Sequence, residues 1–369
     1  MSGSHIARSR FLTPGGAAAL CAAALLASGC SSSSGSDAES PGAGRTAADA
    51  AATSSADASA SALQSAYQST VKNVLPSVVQ ITTSQDLGSG VVYDDKGDIV
   101  TNAHVVGNAK TFQVSLATGG KPLSAKLVSA FPANDLAVIK LTSVPKGLKP
   151  AVFADSGTAI GELVLAMGNP LGLSSSVTEG IVSATDRTVS EGGSDSDPSG
   201  GSGATIPDMV QTSAAINPGN SGGALVDLDN EVIGIPTLAA TDPQLGSGAA
   251  PGIGFAIPSS TVKRIADQII KNGKVTDSGR AALGVTVRGV VSQSFQPAGA
   301  AIVTVDKAGA AAKAGLKSGD VITRLGGTKI TTVQSLTEAL AADKPGQKVQ
   351  VTYLRDSSTS TVQVTLGSL

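Results

Sequence analysis

Asn217-Pro218-Gly219-Asn220-Ser221-Gly222-Gly223 sets a serine among small residues, just before the apolar run Ala224-Leu225-Val226. Glycine enters backbone conformations that other residues avoid, so such a loop turns sharply and brings its backbone close to a bound group. The loop can expose the Ser221 hydroxyl. It can also aim the amides of Gly219 and Ser221, with Asn220 between them, at one point, as an oxyanion hole requires. Taken alone, the stretch favours that reading, with a plain surface turn bearing an incidental serine as the alternative. The surrounding chain decides between the two.

Working outward, 369 residues leave room for two or three domains. Hydrophobic residues make up 41% but aromatics only 2%, so the cores rest on Val, Ile, Leu and Ala. The 44 glycines suit turn-rich β structure. Lys plus Arg number 26 against 28 Asp plus Glu, with no basic run, which argues against a nucleic-acid binder. Cys21 and Cys30 both lie near the N-terminus, leaving no later cysteine for a disulfide framework, a thiolate metal cluster or a nucleophile. Of the two histidines, His5 and His104, only the second remains once the N-terminus is set aside. A histidine-ligated zinc site is then not expected, although a carboxylate-rich site stays open; no metal or cofactor is expected.

Residues 1–30 read as a secretory signal, with Arg8 and Arg10 followed by an apolar stretch over 17–27 too short to span a bilayer comfortably. Ala27-Ser28-Gly29-Cys30 resembles a bacterial lipobox, with Ala where Leu is usual, and would make Cys30 the lipidated residue. An ordinary cleaved signal or an uncleaved anchor is the alternative. Residues 31–62 are Ser, Ala, Gly and Asp, which bury too little to offset ordering, so they read as a disordered tether. The chain is accordingly expected outside the cytoplasm, anchored to the cell membrane by lipid.

Order is expected from Leu63, where Tyr67, Val71, Val74 and Leu75 fall at helical spacing before Pro76. Short β-type runs follow over 78–83, 90–93, 98–102, 112–116, 125–130, 136–141, 163–167, 176–184, 209–212, 224–227, 232–235 and 252–257. Strands do not alternate with helices here, so antiparallel barrels or sandwiches are expected rather than a doubly wound sheet. A long mobile surface loop is expected over 186–206. A helix over 259–272, begun by Pro258-Ser259 and ended by Asn272-Gly273, buries Val262, Ile265, Ile269 and Ile270. A linker over 274–280 then leads to a small α+β module over 281–369, with a helix capped by Thr332 and carrying Val333, Leu336 and Leu340.

A serine nucleophile needs a base, and the base needs an acid group to orient it. His104, in Thr101-Asn102-Ala103-His104-Val105-Val106, lies at the end of a predicted hairpin strand, where a barrel rim would be. Asp135, in Asn134-Asp135-Leu136-Ala137-Val138, stands at the mouth of an apolar strand, a costly place for an unpaired charge. Singly, His104 could be a buried structural histidine and Asp135 an ordinary turn residue. Together, the chain order His104, Asp135, Ser221 is that of the chymotrypsin arrangement.

Over residues 70–369 the chain resembles the HtrA-type (Deg-type) trypsin-like serine proteases with one PDZ domain. The resemblance rests on Gly88-Ser89-Gly90-Val91, Thr101-Asn102-Ala103-His104-Val105, Asp135-Leu136-Ala137-Val138, Gly168-Asn169-Pro170, the Ser221 loop, Gly254-Phe255-Ala256-Ile257-Pro258 and Gly315-Leu316-Lys317-Ser318-Gly319-Asp320-Val321-Ile322. It implies an all-β protease domain of two perpendicular barrels over 63–273, with the site in the cleft between them, and a PDZ domain over 281–369. It implies His104 as general base, Asp135 as its orienter, Ser221 as nucleophile, and Gly219, Asn220 and Ser221 as the oxyanion loop. Ser213 stands where relatives usually have Asp, and Ala224 where they usually have Pro. A specificity pocket of Ala215, Ile216, Gly254, Phe255 and Ala256, with no carboxylate, predicts small or medium aliphatic residues before the cut.

A PDZ module binds peptide C-termini by strand addition. Leu283, Gly284 and Val285 would receive the carboxylate, and the helix bearing Leu336 would wall the groove. Family behaviour adds a homotrimer, with the 67–75 segment as its interface, and activation loops over 168–179, 187–206 and 237–250. The expected partners are protein and peptide substrates. The competing expectation is a chaperone-like PDZ binder with dormant chemistry.

Overall fold

The computed structural model describes residues 47–83, 87–169, 176–190, 205–217, 219–241, 249–292 and 294–369. The expected signal, Cys30, and residues 170–175, 191–204 and 242–248 of the loops expected over 168–179, 187–206 and 237–250 lie outside the described residues. Two compact units are distinguished, 1–55 and 56–369, and of the first only the start of one helix is described.

That helix, α1 (Ala47–Val74), begins within the stretch expected to be a disordered tether. Ala47-Ala48 and Ala50-Ala51-Ala52 explain the difference: alanine is the best helix former, and local propensity holds a helix where no apolar stripe exists. Nearer its C-terminus, Tyr67, Val71 and Val74 pack against the main core, and Leu75 follows them. The stripe expected as a subunit interface is thus used within the chain. Among the described residues no helix is long and apolar enough to cross a membrane.

The first barrel comprises β1 (Val78–Thr82), β2 (Leu87–Val92), β3 (Asp98–Thr101), β4 (Thr111–Leu116), β5 (Leu123–Phe131) and β6 (Leu136–Leu141), with the short helix α2 (Ala103–Val106) after β3. Its order, β1-β2-β3-β6-β5-β4, closes through pairing of β4 with β1. Alternation puts Val79, Ile81, Ile99, Val114 and Ile139 inside it.

The second sheet comprises β7 (Val152–Phe153), β8 (Leu163–Gly168), β9 (Ser176–Ser190), β10 (Thr205–Thr212), β11 (Ala224–Val226), β12 (Glu231–Thr241) and β13 (Ala249–Pro258). Its order is β11-β8-β9-β10-β13-β12-β7, and pairing of β11 with β12 returns the sheet on itself. The loop expected over 186–206 is shorter than its polar composition suggested. The β9–β10 ladder continues to Ser190 and Thr205, past register shifts and the left-handed residues Asp186 and Asp208.

Helix α3 (Ser259–Asn272) seals the junction of the barrels, burying Val262, Ile265, Ala266 and Ile269 beside Val78, Val100 and Leu136 of one and Leu165, Met167 and Ile235 of the other. Each fully buried Ile contributes about 1.5–3 kcal/mol. Gly273, with φ of 71°, ends the helix and donates to the Ile269 carbonyl. Ser259 does not cap the helix as expected; its hydroxyl donates to the Ala154 carbonyl at 2.9 Å, tying α3 to the sheet.

The C-terminal module contains β14 (Ala281–Ala282), β15 (Val285–Val291), β16 (Pro297–Val305), α4 (Ala310–Lys313), β17 (Val321–Leu325), β18 (Thr328–Lys329), α5 (Val333–Ala341), β19 (Lys348–Arg355), β20 (Ser358–Thr365) and β21 (Gly367–Ser368). Thr332 caps α5 in a capping box with Ser335. Strand β15 pairs only with β16, leaving its other edge open among the described residues. The module has its own core around Leu283, Ile302, Leu336 and Val351, and Arg355 pairs with buried Asp320. Linker residue Arg280 sends its guanidinium to the carbonyls of Ala133 and Thr205 in the barrels.

Candidate active site

The end of β3 delivers Asn102 and then His104 into the cleft. Asp135 ends the turn Pro132–Asn134 in a left-handed conformation, φ 47°, which a non-glycine residue adopts only when its surroundings over-determine it. Those surroundings are visible. His104 Nδ1 lies 2.8 Å from Asp135 Oδ2, and the His104 backbone N–H donates to Oδ1 at 3.0 Å. The Asn102 side-chain amide donates to the Asp135 carbonyl at 3.0 Å. Asp135 is wholly buried, so these bonds replace its hydration.

Thr237 adds a residue that the sequence reading did not single out. Its hydroxyl donates to Asp135 Oδ2, and its carbonyl accepts the Ser221 hydroxyl at 3.2 Å. One strand residue in the second barrel therefore touches both Asp135 of the first barrel and Ser221. The sequence reading put it at the start of the activation loop expected over 237–250, whereas β12 runs through it to Thr241.

In that loop Gly219 has φ of 101°, which only glycine adopts without strain. The Asn220 amide is committed to the Asn217 carbonyl at 3.0 Å, and the Asn220 side chain reaches the Ala215 carbonyl at 3.3 Å. Asn220 is thus a brace rather than a donor. The amides of Gly219 and Ser221 make no hydrogen bond among the described residues. The loop is pressed against its neighbours: a Cβ on Gly222 would stand 2.3 Å from the Ser89 carbonyl, and one on Gly223 2.2 Å from that of Met167.

Beside the loop, the Ile216 side chain covers Gly254, where an added Cβ would stand 2.4 Å from Ile216 Cγ1. Ile216 and Ala256 share one core cluster. Phe255, expected in the same pocket, packs with the other cluster around Ile257 and α3, because successive strand residues point to opposite faces. Ala215 is exposed, and its carbonyl accepts the Thr178 hydroxyl at 2.8 Å. Ser213 accepts the Ile181 amide at 3.0 Å, and Ala224 is buried opposite Met167.

In the C-terminal module, Leu283 and Leu336 are core residues at 1% and 2% exposure, so Leu336 does not wall an open groove as expected. Its place on α5 turns it inward between Leu340 and the sheet side of the module. Gly284, φ 71°, lies against Gly309 and would meet its Cα at 2.9 Å with a Cβ, while Val285 begins the open-edged strand.

Two protein families match this chain: a trypsin-like peptidase domain over residues 88–235 and a PDZ domain over residues 281–366. It is 39% identical over 289 residues to a probable periplasmic serine endoprotease DegP-like of Brucella suis, covering 76% of this chain and 52% of that one. To the periplasmic serine endoprotease DegP of Escherichia coli it is 40% identical over 286 residues, covering 76% and 56%. The chain therefore spans about half the length of these curated relatives. Among solved structures, it is similar to the serine endoprotease from Yersinia pestis, with a TM-score of 0.53, 32% identity, and coverage of 82% of this chain and 98% of that one. It is also similar to the HtrA-type protease AlgW with tripeptide, with a TM-score of 0.53, 35% identity, and coverage of 82% and 96%. With its barrels, its serine loop and its terminal module, the chain belongs to the HtrA-type serine proteases that carry a C-terminal PDZ domain.

Proposed function

We propose that this chain hydrolyses peptide bonds of misfolded or regulatory proteins as a serine endopeptidase, with Ser221 as nucleophile, His104 as general base and Asp135 as its orienter. The observation that carries the reading is the two-point grip of Asp135 on His104, through Nδ1 at 2.8 Å and the backbone amide at 3.0 Å. That grip fixes the ring and puts its proton on Nδ1, leaving Nε2 as the basic nitrogen. The Ser221 hydroxyl turns from the Thr237 carbonyl toward His104, and Oγ attacks the substrate carbonyl as its proton passes to His104 Nε2. The tetrahedral oxyanion is received by the amides of Gly219 and Ser221, which make no hydrogen bond among the described residues. The C–N bond breaks, the proton leaves with the amine, and water repeats the sequence on the acyl-enzyme.

The apolar Ile216 side chain close over Gly254 supports small or medium aliphatic residues before the cut. The open edge of β15 supports strand addition of a peptide C-terminus at Leu283, Gly284 and Val285. Export, a lipid on Cys30 and a homotrimer complete the reading, on the sequence signal and the family resemblance. So do the boundaries 63–273 for the protease and 281–369 for the PDZ domain. The test is casein cleavage by the chain and by Ser221→Ala, with cut sites mapped by mass spectrometry. Loss of cleavage in the variant and cuts after Ala, Val or similar residues are expected; an active Ser221→Ala would refute the serine mechanism.

A further inference from the structure

The geometry points to Ser89 as a positioning residue that sets the orientation of the oxyanion loop from the opposite barrel. This rests on the assignment of Ser221 and the Gly219 amide above. Ser89 lies in β2, paired with Gln80 of β1, and is wholly buried. Its hydroxyl donates to the Gly219 carbonyl at 2.5 Å, and its amide donates to the Ser221 carbonyl at 3.0 Å. The hydroxyl oxygen also accepts the Asn169 amide at 2.8 Å, and the Ser89 carbonyl accepts the Thr101 hydroxyl at 2.7 Å.

Each bond has a consequence. A serine hydroxyl has one proton, and accepting from Asn169 turns that proton toward Gly219. Pinning the Gly219 carbonyl fixes the torsion next to the proposed donor. The N–H end of the same peptide plane is held by the Asn217 carbonyl, so the Ser89 bond fixes its other end at a residue whose own backbone no side chain limits. Pinning the Ser221 carbonyl fixes the peptide on the C-terminal side of Ser221, the residue that bears the other proposed donor. The nucleophile and both proposed donors are therefore held by a residue of the barrel that carries His104, which aligns loop and base together. The fit is close because Gly222 has no Cβ to push the Ser89 carbonyl away.

The test compares the full chain with Ser89→Ala on a peptide substrate with an aliphatic residue before the cut, and measures the affinity of a peptide boronic acid of the same sequence. Removing one oxyanion donor outright costs about 100- to 1,000-fold in kcat, so misaiming one should cost about 10- to 100-fold. The expected result is that loss in kcat, KM within about twofold, and boronate affinity weakened by about the same factor as kcat. A loss in kcat with boronate affinity unchanged, or kcat at the native value, overturns the inference. Should Ser89→Ala not fold, Ser89→Cys, close in volume and a weak donor, carries the same test. Ser221→Ala is run alongside: residual cleavage there overturns the underlying reading, whereas an inactive Ser221→Ala beside a fully active Ser89→Ala overturns the role of Ser89 alone.

Discussion

Replacing Thr237 by Val tests whether the second barrel helps to hold the charge of Asp135. Valine keeps the shape and the backbone carbonyl that accepts Ser221, and removes only the hydroxyl donated to Asp135 Oδ2. The carboxylate is wholly buried and has three donors within reach: that hydroxyl, His104 Nδ1 and the His104 backbone amide. A hydrogen bond to a charged group contributes about 1.5–3 kcal/mol. In a domain of this size each kcal/mol moves the melting point by about 2–4 °C, so Thr237→Val should melt roughly 3–12 °C lower. Two bonds to His104 remain, so the ring keeps its tautomer and only part of the loss reaches the transition state. We expect kcat to fall about tenfold, equivalent to about 1.4 kcal/mol, with KM unchanged. Thr237→Ser keeps the hydroxyl and should stay within about threefold of the native rate. Steady-state kinetics on an aliphatic peptide, with melting followed by calorimetry, make the measurement. Native kcat and native melting temperature in Thr237→Val would refute the reasoning.

Four further outcomes follow from the same structure. Ile216→Ala should open the pocket over Gly254, shifting casein cuts toward larger side chains by mass spectrometry, whereas unchanged cut sites would remove Ile216 from the pocket. Gly222→Ala places a Cβ about 2.3 Å from the Ser89 carbonyl at φ 79°, so it should lose nearly all activity and much of its stability; near-native turnover would contradict the close approach. Arg280→Met strands the carbonyls of Ala133 and Thr205, and limited proteolysis should cut the linker over 274–280 several times faster. In the PDZ domain, burial raises the Asp320 carboxyl, but the Arg355 guanidinium and the Lys317 amide outweigh it and hold it below its usual value. A lowered folded-state value contributes stability that is present above the unfolded value and lost as pH falls through the folded one. Thermal melts should therefore show the module weakening below about pH 4, with a shallower slope in Asp320→Asn.

What the sequence disclosed, and what it hid, follows from the distance over which each signal acts. Strand β6 and helix α3 were legible to the residue, because the apolar run or helical spacing ended at clear breakers such as Gly273. His104, Asp135 and Ser221 stood out in the sequence because a lone histidine and a glycine-flanked serine restrict the chemistry, and the structure sets His104 on Asp135 and links Asp135 to Ser221 through Thr237. Local reading failed where a tertiary partner makes the choice. Ser259 looks like a cap and instead serves Ala154; Phe255 looks like pocket lining and is turned away by the pleat; Leu336 looks like a groove wall and fills the core. Ala47 onward looks like a tether because it lacks an apolar face, yet its alanines need none to coil.

Thr237 and Ser89 show the same limit at the site itself. Neither residue type is unusual for a strand, and neither sits beside Ser221 in sequence; their bonds span 102 residues to Asp135 and 130 residues to Gly219. A short polar side chain on a buried strand carries no periodic signature, only a requirement that its hydroxyl find a partner. Here both hydroxyls find that partner across the cleft, each on a backbone or carboxylate that the chemistry needs held. Closing two separate barrels against one another creates the site, so the struts that align it become visible only when both barrels are in place.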